Sequence, residues 1–174
     1  MSDATQSPDG GACGPMGTTD AHERLKPFEG TFQAEVKMWM GPGDPHTSTG
    51  TMTNAFELGG RFLKQNYKGH DVDGPFPNFE GRGYWGYNTV NNCYEGFWID
   101  TAATFFQIET GQVDDSGKVW EMTGTMTNPQ TGDPLVKRSV ITLHDENSHT
   151  MEMFFEAQGQ PSCKAMEIVY TRSS

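Results

Sequence analysis

The chain has little positive charge, and none of it is gathered. Twelve Lys and Arg stand against 23 Asp and Glu, a formal net charge of −11, and Lys137-Arg138 is the only adjacent basic pair. A nucleic-acid interface needs a basic face to neutralise phosphates, so a polyanionic partner is excluded. Anionic membrane surfaces are disfavoured for the same reason, and no apolar run approaches bilayer-spanning length. No basic segment followed by an apolar stretch opens the sequence, and it holds no Asn-x-Ser/Thr sequon. A secreted protein is therefore not expected, and the sequence reads as cytoplasmic. Cysteines number only three. Cys13, Cys93 and Cys163 form no Cys-x-x-Cys pair, which argues for free thiols and against a disulfide framework or zinc ribbon. Missing too are a Gly-x-Ser-x-Gly elbow, a Gly-rich phosphate loop and a dinucleotide fingerprint.

Leu, Ile and Val are sparse, whereas Phe (11), Met (10), Tyr (5) and Trp (4) are plentiful. Apolar burial must come mainly from aromatics and Met, and Met fills irregular gaps and recurs at adaptable binding surfaces. With 174 residues the chain suffices for one domain with a sizeable core. Residues 1–18, rich in Gly, Ser, Pro and Asp, bury too little apolar surface to offset chain entropy and are expected to be disordered; residues 19–174 form the domain. Asp20-Ala-His-Glu23 has capping-box spacing for a short helix, which Pro27 ends.

From Thr31 the period becomes two. Phe32, Ala34, Val36, Met38 and Met40 share one face, and Thr31, Gln33, Glu35 and Lys37 the other. Further strands are expected near 47–57, 61–68, 79–88, 93–101, 104–111, 118–127, 135–144, 149–157 and 163–172, separated by Gly-, Asp-, Asn- and Pro-rich turns. The fold class is all-β. About ten short strands with no crossover helix predict a single antiparallel up-and-down β-barrel, with the short N-terminal helix capping one end; closure removes the unpaired edges. A two-sheet sandwich is the alternative. Met166, Ile168, Tyr170 and Arg172 share one parity. If the last strand meets the first, Arg172 can lie flat on Phe32, donate to nearby carbonyls and plug one end.

A short helical turn, Gly30-Thr31-Phe32 opening the first strand and Arg172 closing the last resemble the calycin barrels, the lipocalins and fatty-acid-binding proteins, although lipocalins carry Gly-x-Trp at the first site. More specifically, Gly83-Tyr-Trp-Gly-Tyr-Asn88, Tyr94-Glu-Gly-Phe-Trp-Ile-Asp100, Asn128-Pro-Gln-Thr-Gly132 and Lys164 to Arg172 resemble a bacterial domain-of-unknown-function family, number 1579. The resemblance implies a calycin-like barrel; the family has no assigned activity, so the likeness points to no particular chemistry. It makes Gly30, Phe32 and Arg172 structural closure residues.

The candidate ligand-binding residues are Tyr84, Trp85, Tyr87, Tyr94, Trp98 and Asp100, on two strands joined by an Asn-rich hairpin, with Met38 and Met122. Aromatic surfaces with hydroxyl or indole handles suit small-molecule pockets, and Gly81, Gly83, Gly86 and Gly96 permit close approach. Ordinary core packing and cross-strand aromatic pairs account for the same residues. Among strand carboxylates (Glu57, Glu95, Asp100, Glu121, Glu152, Glu156), Asp100 is the foremost candidate acid or base if it faces inward. His144 and His149 flank a turn. A calycin relative, nitrobindin, binds haem through a barrel histidine, which makes either one the candidate for a haem alternative. No catalytic residue, metal ligand or cofactor is assigned. The favoured reading is a non-enzymatic barrel for a small hydrophobic molecule. The alternatives are an enzyme acting on such a molecule in the cavity, or a filled barrel whose outer aromatics, around Trp39 or Phe154, form a homodimer.

Overall fold

A computed structural model describes residues 16–128, 131–157 and 161–173. The expected N-terminal tail lies outside the described residues apart from Met16 to Thr18. Ten strands follow a four-residue helix α1 (Asp20–Glu23) and a 3-10 turn (Lys26–Phe28): β1 (Gly30–Met38), β2 (His46–Glu57), β3 (Phe62–Gly69), β4 (Glu80–Asn88), β5 (Cys93–Asp100), β6 (Gln107–Val113), β7 (Val119–Thr127), β8 (Pro134–Asp145), β9 (Ser148–Ala157) and β10 (Cys163–Arg172). Each strand pairs antiparallel with its sequence neighbours, and β1 pairs with β10, so the sheet closes into an up-and-down barrel. The strands follow the turn chemistry closely. Two boundaries differ. β1 stops at Met38, leaving Met40 63% exposed, because Gly41-Pro-Gly-Asp-Pro45 turns the chain early. β6 begins at Gln107, so Phe105 and Phe106 belong to an exposed loop.

The two barrel ends differ. One carries short turns, at 58–61, 89–92, 114–118 and 146–147, together with α1 and the 3-10 turn; the other carries the connections at 39–45, 70–79 and 101–106 and the facing ends of the β7–β8 and β9–β10 pairs. At the short-turn end Leu25 and Phe28 drop into a cluster with Leu63, Trp85, Tyr94, Trp120 and Met122. The Tyr94 hydroxyl donates to the Ala21 carbonyl at 3.0 Å, and Asn54 Nδ2 to the Phe28 carbonyl at 2.8 Å. These two bonds moor the cap to the barrel wall. The N-cap lies one residue earlier than the capping-box spacing places it: Thr19, not Asp20, is the cap, and its amide donates to His22 Nδ1 at 3.0 Å, a role expected of Glu23. The imidazole wins because His22 is itself buried against the barrel (Tyr87 at 5.9 Å), whereas Glu23 faces solvent and pairs with Lys26.

Closure between the chain ends is dense. Phe32 pairs with Arg172 across β1 and β10, and the guanidinium carbon lies 4.5 Å from the Phe32 ring centre. Its three nitrogens donate to the carbonyls of Glu146, Glu29 and Pro27, each at 2.7 Å. Gly30 has φ +122, and a Cβ there would meet Arg172 Nη1; only glycine leaves room for the guanidinium in that conformation. Among the described residues no helix is long and apolar enough to cross a membrane.

Candidate functional site

Inward-facing side chains do not fill the barrel. A cavity of about 390 Å³ runs from Phe28, Trp85 and His149 at the capped end to Met38, His46, Asp71, Phe76 and Phe79 at the other. Its apolar wall comes from Val36, Met52, Met122, Met151, Met153, Met166 and Ile168. The volume lies in the range of small-molecule sites, which combine an apolar lining with a few placed polar groups. The long hairpins surround the open end, with Phe76 and Phe79 edge-on to one another at 6.5 Å.

The register decides the fate of the aromatic hairpin. Gly81 opposes Asp100, Gly83 Trp98, Trp85 Gly96 and Tyr87 Tyr94, and buried Trp85 and Tyr94 identify this set as the inner face. Trp85, Tyr87 and Tyr94 belong to the packed capped end, with Trp85 also bordering the cavity. Trp98, Asp100, Met38 and Met122 line the cavity. The inner glycines are spaces for a neighbour: a Cβ on Gly81 or Gly83 would collide with the Trp98 indole. Tyr84 also borders the cavity, but its side chain has the opposite parity. Its hydroxyl donates to Glu57 Oε2 at 2.7 Å, Glu57 also takes Lys64 at 2.9 Å, and the ring leans on outer Phe97 at 5.7 Å. The hydrogen bond holds Glu57 below the usual carboxylate range and raises the phenol. The sequence shows that Tyr84 and Trp85 face opposite ways; the burial of Trp85 decides which of them is outside.

The interior holds a polar network of which the sequence singles out only Trp98 and Asp100. Trp98 Nε1 and Gln107 Nε2 donate to Asp100 Oδ2 at 3.0 and 3.1 Å, and the Ala102 amide donates to Oδ1 at 2.9 Å. Gln107 Oε1 in turn accepts from Lys137 Nζ at 3.0 Å, which also reaches Glu109 Oε2 at 3.3 Å. Ser139 Oγ completes the chain by donating to Glu109 Oε1 at 2.7 Å. Lys137 is 8% exposed. An ammonium taken out of water is tolerated only with such partners. Two signals for this wall were present. Adjacent Lys137 and Arg138 on one strand must point to opposite faces, so one cation had to enter the barrel. In Gln107-Ile108-Glu109 the polar residues carry the inward parity and Ile108 is 63% exposed, an inversion that composition alone would read backwards.

His149 is the buried histidine of the β8–β9 hairpin, whereas His144 lies on the exposed side. Its ring stacks on Tyr170 at 4.5 Å and meets Phe28 and Phe32 edge-on at 5.0 and 4.7 Å. Nδ1 is buried without a hydrogen-bond partner among the described residues. Burial, with the charges of Arg172 and His144 adding, lowers its pKa to about 3, so the imidazole is neutral at physiological pH. Tyr67 and Tyr170 also line the cavity. Burial pushes Tyr67 up to about 12, Asp71 contributing, and raises Tyr170 as well; both hydroxyls stay protonated. Glu95 sits beside the Asn88 amide at 2.7 Å, Glu121 near Arg138, Glu156 under Arg138 at 3.2 Å, and Glu152 on Lys164 at 2.6 Å. None of these four borders the cavity. Among the described residues no group of three His, Cys, Asp or Glu side chains is placed to hold a metal ion. Trp39 and Phe154 each lie under a cation, Lys164 at 5.4 Å and Arg138 at 4.4 Å.

A closed ten-strand barrel with a capped end and an internal cavity defines the class of this protein. The chain belongs to the family described as Protein of unknown function (DUF1579), whose model matches residues 17–172. Its fold is similar to that of Rv2717c from M. tuberculosis, with a TM-score of 0.63 and 20% identity over 90% of this chain and 99% of that one. Two further structures resemble it more loosely. A redesigned β-barrel has a TM-score of 0.44 and 16% identity over 88% of this chain and 96% of its own. EF1p2_mFAP2b bound to DFHBI has a TM-score of 0.44 and 12% identity over 88% and 99%. No curated protein matches.

Proposed function

We propose that the chain is a binding protein that encloses a small, largely apolar molecule in the barrel, without catalysis. The observation that carries this reading is the cavity of about 390 Å³ walled by Met52, Met122, Met151, Met153 and Met166. Thioether side chains adapt to ligands of different outline, and a void of this size is retained only at a cost in packing energy. Asp100 and Glu109 are engaged by Trp98, Gln107, Lys137 and Ser139 rather than by a histidine or tyrosine, so neither forms an acid–base pair there. Native mass spectrometry of the purified protein tests the reading through co-purified ligand, and Nile red titration tests it directly. Saturable fluorescence enhancement at one dye per chain is expected. The absence of both signals refutes it.

His149 favours a second reading. A neutral imidazole bordering an apolar cavity is the form that ligates haem iron, and His149 would hold the group. Haem addition followed by absorbance decides: a Soret band lost in His149→Leu supports this reading, and no band ends it.

A further inference from the structure

Resting on the binding reading, we infer that the cavity takes apolar molecules whose polar end is uncharged or cationic and donates hydrogen bonds, such as alcohols and amines, and rejects fatty-acid carboxylates. The charged groups facing the cavity are unequal in sign. Among the described residues Asp71, Asp73, Asp100 and Glu109 line it, against Lys137 alone. Lys137 is already held between Gln107 and Glu109. A ligand carboxylate that reached its ammonium would lie beside the Glu109 carboxylate in a site screened from water, where like charges repel strongly. Asp100 and Glu109, in contrast, retain acceptor capacity on oxygens that each take one or two donors.

The remaining polar groups do not reverse this preference. Tyr67 and Tyr170 present neutral phenols without a hydrogen-bond partner among the described residues, and a phenol accepts as readily as it donates. His149 is uncharged, and its buried Nδ1 lacks a partner among the described residues, so it supplies no counter-charge. His46 stands at the mouth. Arg172 stacks on Phe32 with one N–H of each guanidinium nitrogen bonded to a backbone carbonyl, so the cation at the capped end is already tied to the backbone.

The test is displacement of Nile red from the full chain by three ligands of equal length, decylamine, 1-decanol and decanoate, below their aggregation concentrations. The amine and the alcohol are expected to displace the dye at concentrations at least about tenfold lower than decanoate. Glu109→Gln, which keeps an acceptor for Lys137 and removes the charge, narrows that gap to about threefold or less. If circular dichroism shows that Glu109→Gln does not fold, Asp100→Asn replaces it. Decanoate matching either competitor overturns the inference, as does a gap unchanged in the folded variant. Failure of the protein to take up Nile red at all is seen before any competitor is added, and it overturns the binding reading itself.

Discussion

Removal of the Arg172 guanidinium measures how much the closure of the barrel depends on one residue. Arg172 donates three charge-assisted hydrogen bonds to carbonyls and covers the Phe32 ring. Each such bond is worth about 1.5–3 kcal/mol when its partner is left dry. The carbonyls of Glu146 and Glu29 lie at an exposed rim, so water replaces most of those two bonds in Arg172→Ala. The Pro27 carbonyl is more enclosed and loses its bond outright, and an exposed cation–π contact adds about 0.5–1 kcal/mol. The expected destabilisation is about 3 kcal/mol, or a fall in Tm of roughly 6–12 °C for a chain of this size. Arg172→Lys keeps the charge but has no fork to span three carbonyls, and it recovers less than half. Urea titration followed by tryptophan fluorescence reads both variants. A loss under about 0.5 kcal/mol in Arg172→Ala, or full rescue by lysine, refutes the claim that this clamp holds the ends together.

Further expectations bear on the interior. The folded pKa of His149, about 3, lies below its ordinary 6.5. The unfolded chain takes up a proton first, so the contribution of His149 is complete above pH 6.5 and fades as pH falls. About 2 kcal/mol is lost between pH 7 and pH 5, and a pH series of urea titrations with His149→Phe, which cannot titrate, shows a correspondingly shallower acid limb. Met166→Trp, directed into the cavity, abolishes Nile red uptake while far-ultraviolet circular dichroism stays unchanged; undiminished uptake places the dye elsewhere. Tyr84→Phe leaves dye affinity within about twofold, since the hydroxyl serves Glu57 on the outer face, and a larger loss counts against that placement. Gly30→Ala costs about 1–3 kcal/mol in chemical denaturation, because φ is +122 and the new methyl meets Arg172.

Much of the fold was legible because punctuation and period agree along the chain. Gly41-Pro-Gly-Asp-Pro45 and Asp114-Asp-Ser-Gly117 force turns, and Phe32, Ala34 and Val36 alternate cleanly with Gln33, Glu35 and Lys37. The pairing of Phe32 with Arg172 follows from parity once the ends meet. The site was less legible. Alternation separates Tyr84 from Trp85 but carries no sign, and the sign comes from the apolar cap that Leu25 and Phe28 build over Trp85. Gln107, Glu109 and Lys137 escaped notice because their burial depends on meeting one another across β6, β7 and β8, residues about thirty apart in sequence. A buried polar network is a property of register, and a single strand read alone cannot display it.

The order of the strands also has a consequence for synthesis. Nine of the ten pairings join neighbours along the chain, and the tenth joins β1 to β10. Hairpins can therefore form as they emerge, yet β1 retains an unpaired edge until the last strand is made, ending at Arg172. A chain truncated before Cys163 would expose two strand edges, on β1 and β9, each a template for another copy. The ten residues of β10 (Cys163–Arg172) thus act as the molecule's own stopper against aggregation, and a stop codon in that strand should yield inclusion bodies rather than a shortened barrel.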